Sequence, residues 1–373
     1  MTWTTKPLAE IAEFRLGKML DDKKNRGEPL PYLANINVRW GECDLENLRE
    51  MRFEHNEMDR YGLKYGDIVM CEGGEPGRCA IWKESVPGMM IQKALHRIRP
   101  HDCLDHRFLF YSFLHKGRIG NFAPLFTGAT IKHLPREKLA KVEIAFPRLD
   151  VQRRIAEILS AYDDLIENNR RRMALLEEAA RKLYREWFVR LRFPGHEHTP
   201  ITNGVPAAWE RVPLGDRVTL NYGKALKADD RSDGPCPVYG SSGIVGMHEK
   251  ALAAASGIVV GRKGNVGSVY WCPKDYWPID TVYFIDAETS NLWLFYALRH
   301  MHFISTDVAV PGLNRDFAYS RPLLVPPLRI VRDFLETAEP VHEQMTKLEE
   351  MNEKLRAARD FLLPRLMSGD IAV

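Results

Sequence analysis

The sequence predicts an α+β protein in which two similar mixed domains are separated by two long antiparallel coiled-coil helices. Three observations lead to this fold class. Sequence matches recur in the same order in the two halves, each half contains Val-, Ile- and Tyr-rich segments with Gly and Pro turns, and an unbroken heptad pattern closes each half. Together they indicate an internal repeat with pseudo-two-fold symmetry.

The composition describes an ordinary globular protein of two or three domains. Of 373 residues, 45% are hydrophobic and 28% are charged, which excludes a disordered chain, a collagen and a disulfide scaffold. No apolar run approaches the roughly 20 residues of a membrane helix, and no export signal is visible. The six cysteines include no Cys-x-x-Cys, so we expect a cytoplasmic protein without structural zinc. A net charge of +3 neither requires nor excludes a nucleic-acid partner.

The repeat is defined by matches whose numbering offset falls steadily along the chain. They are Gly17-Lys18 and Pro31 with Gly223-Lys224 and Pro237 (offset 206), Gly66–Gly77 with Ser256–Gly267 (190), Phe108–Tyr111 with Trp293–Tyr296 (185), and Leu134, Pro147 and Leu149 with Leu313, Pro326 and Leu328 (179). A falling offset is expected if the first copy has longer loops. The repeat divides the chain into a first mixed domain (1–149), a first long helix (150–192), a second mixed domain (193–327) and a second long helix (328–373).

The two long helices carry apolar residues at alternating steps of four and three, which is typical of a coiled-coil seam. The first seam is Ile155, Leu159, Tyr162, Ile166, Asn169, Met173, Leu176, Ala180, Leu183 and Trp187. The second seam is Phe334, Ala338, Val341, Met345, Leu348, Asn352, Leu355, Arg359, Leu362 and Leu366. The alternative is that each helix packs only on its own domain. Pro340 is expected to kink or delay the second helix.

Antiparallel pairing predicts a register in which facing seam residues have numbers that add up to 521. This register pairs Trp187 with Phe334 and Asn169 with Asn352, the one asparagine of each seam. It also places Arg359 beside Tyr162, where a cation–π contact is expected. A matched pair of buried amides would specify the register at some cost in stability.

The ends of the two long helices resemble those of the specificity subunit of Type I restriction–modification enzymes. The resemblance lies in Pro147–Gln152 at the start of the first helix, Ala180–Glu197 at its end, and Leu362–Ile371 at the end of the second, and it covers essentially the whole chain. The family's Pro-x-Leu-x-x-Gln opening is intact at Pro147, Leu149 and Gln152, whereas the second copy has Val331 in place of the glutamine.

The resemblance implies two target-recognition domains and two conserved spacer helices in a subunit without chemistry of its own. Such a subunit recognises an asymmetric bipartite sequence in double-stranded DNA and directs methylation and restriction by its partners. The implied partners are two modification subunits, which are adenine methyltransferases using S-adenosylmethionine, and up to two restriction subunits using ATP and Mg²⁺. No cofactor is expected in this chain.

Catalytic motifs are absent from the sequence, as a non-catalytic binding subunit requires. There is no Asn/Asp-Pro-Pro-aromatic motif of an amino-methyltransferase, no Glu-x-Lys of a nuclease, and no Walker loop. His196-Glu197-His198 lies in a Pro/Gly linker without further ligands nearby, so no metal site is predicted. The segment Gly261–Gly267 could cradle a phosphate, but its counterpart Glu72–Arg78 is acidic, and a Gly-rich hairpin is the preferred interpretation.

Candidate DNA contacts lie at corresponding positions of the two copies, where the surrounding sequence matches but the side chains differ. Base readout is expected from Asn35, Asn37, Arg39, Thr127, Thr130, Lys132 and His133 in the first copy, and from Ser241, Ser242, Asn314 and Arg315 in the second. Phosphate contacts are expected from Arg78, Arg262 and Lys263. Because the two copies carry different side chains at these positions, we expect two different half-sites.

Two other functions remain compatible with the sequence. One is DNA recognition in another phage-defence assembly that reuses the fold, and the other is a coiled-coil scaffold that does not bind DNA. A free-standing endonuclease is disfavoured by the missing metal carboxylates.

Overall fold

The computed structural model describes residues 2–21, 25–301, 303 and 312–373, and it has the predicted α+β composition. The helices are α1 (Leu8–Ile11), α2 (Met58–Tyr61), α3 (His106–Arg118), α4 (Arg136–Leu139), α5 (Leu149–Tyr184), α6 (Leu292–His300), α7 (Arg315–Tyr319) and α8 (Leu328–Ser368). None of the helices in these ranges is long and apolar enough to span a bilayer.

The strands are short and fall into two groups separated by α5. They are β1 (Thr4–Pro7), β2 (Ala12–Leu16), β3 (Glu28–Leu33), β4 (Val38–Arg39), β5 (Glu42–Cys43), β6 (Arg49–Phe53), β7 (Ile68–Cys71), β8 (Cys79–Ile81), β9 (Met90–Ile91), β10 (Leu95–Pro100), β11 (Glu143–Phe146), β12 (Ile201–Thr202), β13 (Val205–Pro206), β14 (Glu210–Pro213), β15 (Asn221–Tyr222), β16 (Cys236–Gly240), β17 (Gly243–His248), β18 (Gly257–Gly261), β19 (Val269–Cys272), β20 (Trp277–Pro278), β21 (Val282–Ile285) and β22 (Pro322–Val325).

The chain forms two compact units, and each unit takes opposite portions of the two long helices. Unit 1 comprises Met1–Asn168 with Asn352–Val373, and unit 2 comprises Asn169–Met351. The four segments predicted from the sequence divide the chain at the helix ends instead, and that division stays a prediction.

The strand order of unit 1 recurs in unit 2, as an internal repeat requires. In unit 1 the sheets run β2-β10-β7-β8, β6-β3-β9 and β1-β11, and in unit 2 they run β15-β21-β18-β19, β17-β16-β20 and β14-β22. Both three-stranded sheets contain one parallel pair, β3 with β9 and β16 with β20. Unit 1 adds the hairpin β4-β5, which lies in the longer part of the first copy.

An aromatic helix lies in the hydrophobic core of each unit. Asp105 caps α3 by accepting from the backbone N–H groups of Arg107 and Phe108, and Asn291 caps α6 by accepting from Leu294. Both helices then present an almost uninterrupted buried run, Phe108–Leu114 and Leu292–Leu298. The sequence matches Phe108–Tyr111 and Trp293–Tyr296 both lie within these helices.

The long helices are continuous, and the predicted delay at Pro340 is wrong because α8 already begins at Leu328. An interior proline removes one helical hydrogen bond, which costs about 3 kcal/mol or more. Here Phe334, Ala338 and Val341 on both sides of Pro340 pack in the core of unit 2, and this burial offsets the loss.

Within each unit, the α5 and α8 segments pack with opposite chain directions. In unit 1 the start of α5 (Ile155, Leu159) shares a core with the end of α8 (Leu362, Leu366). In unit 2 the end of α5 shares a core with the start of α8, and the rings of Trp187 and Phe334 lie 6.2 Å apart, as the predicted register requires. Each seam position is buried or half-buried.

Each long helix also buries a second face against its own domain. The contacts of the alternative interpretation are therefore present in addition to those of the seam. Ala156 lies in the core of unit 1, and Tyr184 and Phe188 lie in the core of unit 2. Outside these faces, large side chains such as Leu175 are exposed.

The predicted register carries two further expectations, which concern the contact of Arg359 and the pairing of the two seam asparagines. Arg359 donates to Asp163 and Asp360 in unit 1, so an ion pair replaces the expected cation–π contact with Tyr162. A carboxylate attracts a guanidinium more strongly than a phenol ring does at this half-buried position. Asn169 and Asn352 are both buried, but they belong to different units and their pairing stays a prediction.

Candidate nucleic-acid interface

Three loops meet in unit 1, and they contain all the residues of the first copy that the sequence singled out. Loop cluster 1 consists of residues 35–39, 72–78 and 127–133. The Asn35 side chain donates to the Gly73 carbonyl at 3.4 Å, and Gly73 forms a β-bridge with His133. His133 also pairs with Thr127, which closes the loop whose tip carries Thr130 and Lys132. Segments more than thirty residues apart in sequence thus form one surface.

The same three connections meet in unit 2. Loop cluster 2 consists of residues 241–242, 261–268 and 312–315. Lys263 forms a β-bridge with Gly312, and the backbone N–H of Leu313 donates to the Arg262 carbonyl at 2.8 Å. Ser268 Oγ donates to the Ser241 carbonyl at 2.6 Å.

Two contacts that hold the loop clusters together correspond at the offsets found in the sequence. Offsets of 190 and 179 convert the Gly73–His133 bridge into the Lys263–Gly312 bridge. Offsets of 206 and 190 convert the bond from Arg78 to the Asn35 carbonyl into the bond from Ser268 to the Ser241 carbonyl. The repeat therefore preserves these two contacts between loops, while the side chains around them differ.

The Gly-rich segments are hairpin turns, as the sequence favoured. Strand β7 pairs antiparallel with β8, and β18 pairs antiparallel with β19. Gly74 and Gly264 take φ values of +82° and +79°, and Gly77 and Gly267 take +89° and +78°. These values lie in the left-handed region, where glycine carries no steric cost. A Cβ at Gly77 or Gly267 would also crowd the side chain of Phe122 or Phe303.

The residues of loop cluster 1 separate into exposed groups and groups that hold the loops in place. Arg39, Thr127, Thr130 and Lys132 are exposed. Asn37 is buried, where its side chain accepts from the Ala34 N–H and donates to the Asp44 carbonyl.

Arg78 is engaged within the protein. Its guanidinium is 16% exposed, donates to the Asn35 carbonyl at 2.9 Å and pairs with Glu75 at 2.5 Å. Arg78 therefore joins two loops of cluster 1, Asn37 fixes the first loop internally, and their expected DNA contacts stay predictions.

Loop cluster 2 presents a basic and aromatic surface. Lys263 and Arg315 are exposed, and Tyr222 next to them is 53% exposed. The guanidinium of Arg262 lies 5.3 Å from the Tyr222 ring centroid, and that of Arg315 lies 5.2 Å from the same centroid. Arg262 also donates to the Asp280 carbonyl at 2.8 Å, so its position is fixed in advance.

The remaining candidates of this cluster have local roles. Asn314 caps α7 by accepting from the N–H groups of Asp316 and Phe317. Ser241 is half-buried, and Ser242 is exposed in the turn between β16 and β17.

Sequence reasoning did not select Tyr222 or Glu72 as site residues. Glu72 lies in loop cluster 1 at 22% exposure, with its Oε2 3.2 Å from Nδ1 of His133. A signal was present for each, since Tyr222 precedes the repeated Gly-Lys pair and Glu72 is the acidic counterpart of Arg262 at offset 190.

A cluster of metal ligands is absent from the parts of the chain that the structure describes. No three His, Cys, Asp or Glu side chains among those residues come together in a way that could hold an ion. The exposed candidate residues of the two loop clusters are hydrogen-bond donors and cations, with the ring of Tyr222 beside them, and these groups suit the edges and phosphates of nucleic acids.

Comparison with known proteins gives matches along the whole chain. Residues 1–178 match the family described as Type I restriction modification DNA specificity domain. The MjaIX Type I restriction enzyme specificity subunit of Methanocaldococcus jannaschii is 23% identical over 409 aligned positions, covering 100% of this chain and 94% of the relative. The MjaVIII specificity subunit of the same organism is 25% identical over 48% of this chain and 44% of its own length.

The fold is also that of a solved structure. The Type-I restriction-modification system S subunit from M. genitalium matches with a TM-score of 0.56 at 18% identity, covering 98% of this chain and 96% of that one. The likeness extends over both units and both long helices.

Proposed function

We propose that this chain selects the DNA sequence on which a Type I restriction enzyme acts. The premise is that the chain carries a Type I restriction modification DNA specificity domain and belongs with the specificity subunits of such enzymes. It is a non-catalytic subunit that recognises DNA sequence-specifically. The observation that carries the finer proposal is the correspondence of two contacts, the bridge Gly73–His133 with Lys263–Gly312 and the bond from Arg78 to Asn35 with that from Ser268 to Ser241.

An asymmetric bipartite target follows from that correspondence. Both loop clusters are held by one corresponding bridge and one corresponding bond to a carbonyl, which supports a similar backbone arrangement facing a duplex. The exposed side chains differ, with Thr127 and Thr130 in one and Ser242 and Arg315 in the other. Equivalent frames with different donors read different bases, and each half-site therefore has its own sequence.

The partners follow from the same family. We assign to two modification subunits the S-adenosylmethionine-dependent methylation of adenine, and to up to two restriction subunits the ATP- and Mg²⁺-dependent cleavage. The chain itself binds double-stranded DNA without a cofactor and acts in the cytoplasm, where host DNA and these partners meet.

The electrostatic part of recognition comes from the exposed cations of the two clusters. Lys132 is the exposed cation of the third loop in cluster 1, and Lys263 is exposed in the hairpin of cluster 2. A lysine at a phosphate releases counterions, so its removal weakens binding to every sequence alike.

Binding of the full chain to duplex DNA across a range of salt concentrations tests the function. The wild-type chain is expected to prefer one duplex sequence over others, and Lys132→Ala and Lys263→Ala are each expected to reduce the slope of log K against log salt by about one. Lys354→Ala, which removes an exposed cation of α8, serves as the charge-matched control. A chain that binds no duplex at any salt concentration would be a scaffold instead.

A further inference from the structure

Glu72 and Arg262 occupy the same backbone position in the two units. The N–H of Glu72 donates to Ala94 at 2.8 Å, and that of Arg262 donates to Thr281 at 2.9 Å. The carbonyl of Glu72 accepts from Leu134 at 2.7 Å, and that of Arg262 accepts from Leu313 at 2.8 Å. Both residues directly follow a buried strand, β7 or β18, and precede a hairpin turn. The backbone therefore places the two side chains alike.

The two side chains carry opposite charges, and each is fixed by neighbours of its own unit. The Glu72 carboxylate accepts from the His133 ring, which belongs to the third loop of cluster 1. Arg262 lies over Tyr222 and Tyr283 and is bonded to the Asp280 carbonyl. Neither is a mobile surface charge, so each presents a defined group to a ligand.

A carboxylate at this position excludes a phosphate from the same place. An ionised carboxylate accepts hydrogen bonds but donates none, and it repels a phosphate oxygen. If both loop clusters approach a duplex in the same way, then the position of Glu72 and Arg262 faces base edges in both. The donors and acceptors at base edges can satisfy either charge, because cytosine offers an amino group and guanine offers two acceptors in the major groove.

We propose that Glu72 and Arg262 are corresponding specificity-determining residues, and that Glu72 reads the N4 amino group of a cytosine in one half-site while Arg262 reads O6 and N7 of a guanine in the other. The inference rests on the proposed function. It differs from the phosphate contact that the sequence suggested for Arg262. The ring contacts with Tyr222 and Tyr283 hold the guanidinium plane, and such a fixed plane suits two parallel hydrogen bonds to one base.

Selection from a randomised duplex library by the full-length chain, followed by sequencing, tests the inference. Glu72→Gln keeps the shape of the side chain and exchanges an acceptor-only group for an amide, which pairs with adenine. It is expected to lower the preference for cytosine at one base pair of one half-site by about tenfold or more and to admit adenine. Arg262→Lys keeps the charge but loses the planar fork, and it is expected to relax the guanine preference in the other half-site to a similar extent.

Two exposed charges outside the proposed base contacts serve as controls. Glu137→Gln removes an exposed carboxylate of α4, and Lys263→Ala removes an exposed cation of the second hairpin; both are expected to leave the selected sequence unchanged. A wild-type chain that selects a sequence while Glu72→Gln and Arg262→Lys retain it unaltered would overturn the inference and leave the proposed function intact. A wild-type chain that selects no sequence would overturn both.

Discussion

The side-chain amide of Gln152 joins the first turn of α5 to the N-terminus of α3 through the backbone of Asp105. Gln152 Oε1 accepts from the Asp105 N–H at 2.9 Å, and Nε2 donates to the carbonyls of Cys103 at 3.1 Å and Pro147 at 2.9 Å. Asp105 in turn caps α3. The glutamine of the family's helix opening thus acts as a structural joint in unit 1.

The second copy has Val331 at the equivalent position, where it packs against the core of unit 2. There Asn291 caps α6 without a glutamine behind it. An apolar contact therefore stands where unit 1 has three hydrogen bonds.

Gln152→Ala is expected to destabilise unit 1 by about 2–4 kcal/mol, because it leaves one donor and two acceptors unsatisfied in the interior. Hydrogen exchange would show faster exchange at the Arg107 and Phe108 amides of α3. Val331→Ala, the matched change in unit 2, removes only part of an apolar contact and should cost about 1 kcal/mol. Equal losses in the two variants would contradict the role given to Gln152.

Asp163 lies in a polar network that ties α8 to both α3 and α5 in unit 1. Tyr111 Oη donates to Asp163 at 2.6 Å, and Arg359 donates to the other carboxylate oxygen. Arg359 is 14% exposed and also pairs with Asp360. Burial and the Asp163 carboxylate both raise the pKa of Tyr111, so its hydroxyl stays a donor.

Asp163→Ala is expected to cost about 2–4 kcal/mol, because it leaves a largely buried guanidinium with one carboxylate fewer. Asp164→Ala, which changes the exposed neighbour on the same helix, should stay within about 0.5 kcal/mol. Urea unfolding of both variants provides the measurement. A similar cost for both substitutions would show that the network adds nothing beyond the general charge of α5.

The stability of unit 2 should fall in mild acid because of His342. Burial lowers its pKa to about 4, the nearby Glu177 opposes this and Arg299 adds to it, while Tyr296 donates to Nε2 at 2.8 Å. His342 therefore takes up a proton near pH 6.5 in the unfolded chain, but only near pH 4 in the folded chain. The contribution of neutral His342 to the free energy of unfolding is complete above pH about 6.5 and is lost as the pH falls toward 4.

His342→Gln retains an acceptor for Tyr296 but does not titrate. Between pH about 7 and pH about 5, the wild-type chain is expected to lose about 2 kcal/mol more stability than this variant. Buried His96, whose pKa is also lowered, acts in the same direction in unit 1 and cancels in the comparison. Parallel pH profiles for the two chains would contradict the assignment.

Sequence patterns predicted the features that depend on spacing along the chain. The falling offsets identified equivalent positions so closely that they convert one β-bridge into the other, and the heptads located both long helices. Burial inside a loop could not be predicted in this way. Asn37 and Arg78 were chosen as DNA contacts because of their side-chain chemistry, but Asn37 donates to the Asp44 carbonyl across the β4-β5 hairpin, and Arg78 donates to the Asn35 carbonyl, 43 residues away in sequence. Local patterns do not encode such long-range partners.

Exchange of residues 193–327 for the corresponding segment of a Type I specificity subunit should change one half-site only. All three loops of cluster 2 lie within this segment, whereas those of cluster 1 lie outside it. The donor segment should retain aromatic partners for Tyr184 and Phe188, which contact Tyr296 at 5.8 Å and Trp293 at 6.4 Å between ring centroids. With these contacts kept, the core of unit 2 is preserved and only the reading surface changes.

Mapping of methylated adenines in a host that supplies the partner subunits would report both half-sites at once. The half-site read by loop cluster 1 is expected to stay the same, and so is the spacing between half-sites, because α5 and the described part of α8 are untouched by the exchange. A control chain with only Lys263 substituted by alanine should keep both half-sites and bind more weakly, because the proposal places this cation at a phosphate. Changes in both half-sites after the exchange would mean that each loop cluster depends on the other for recognition, and the proposal of two separate readers would then be wrong.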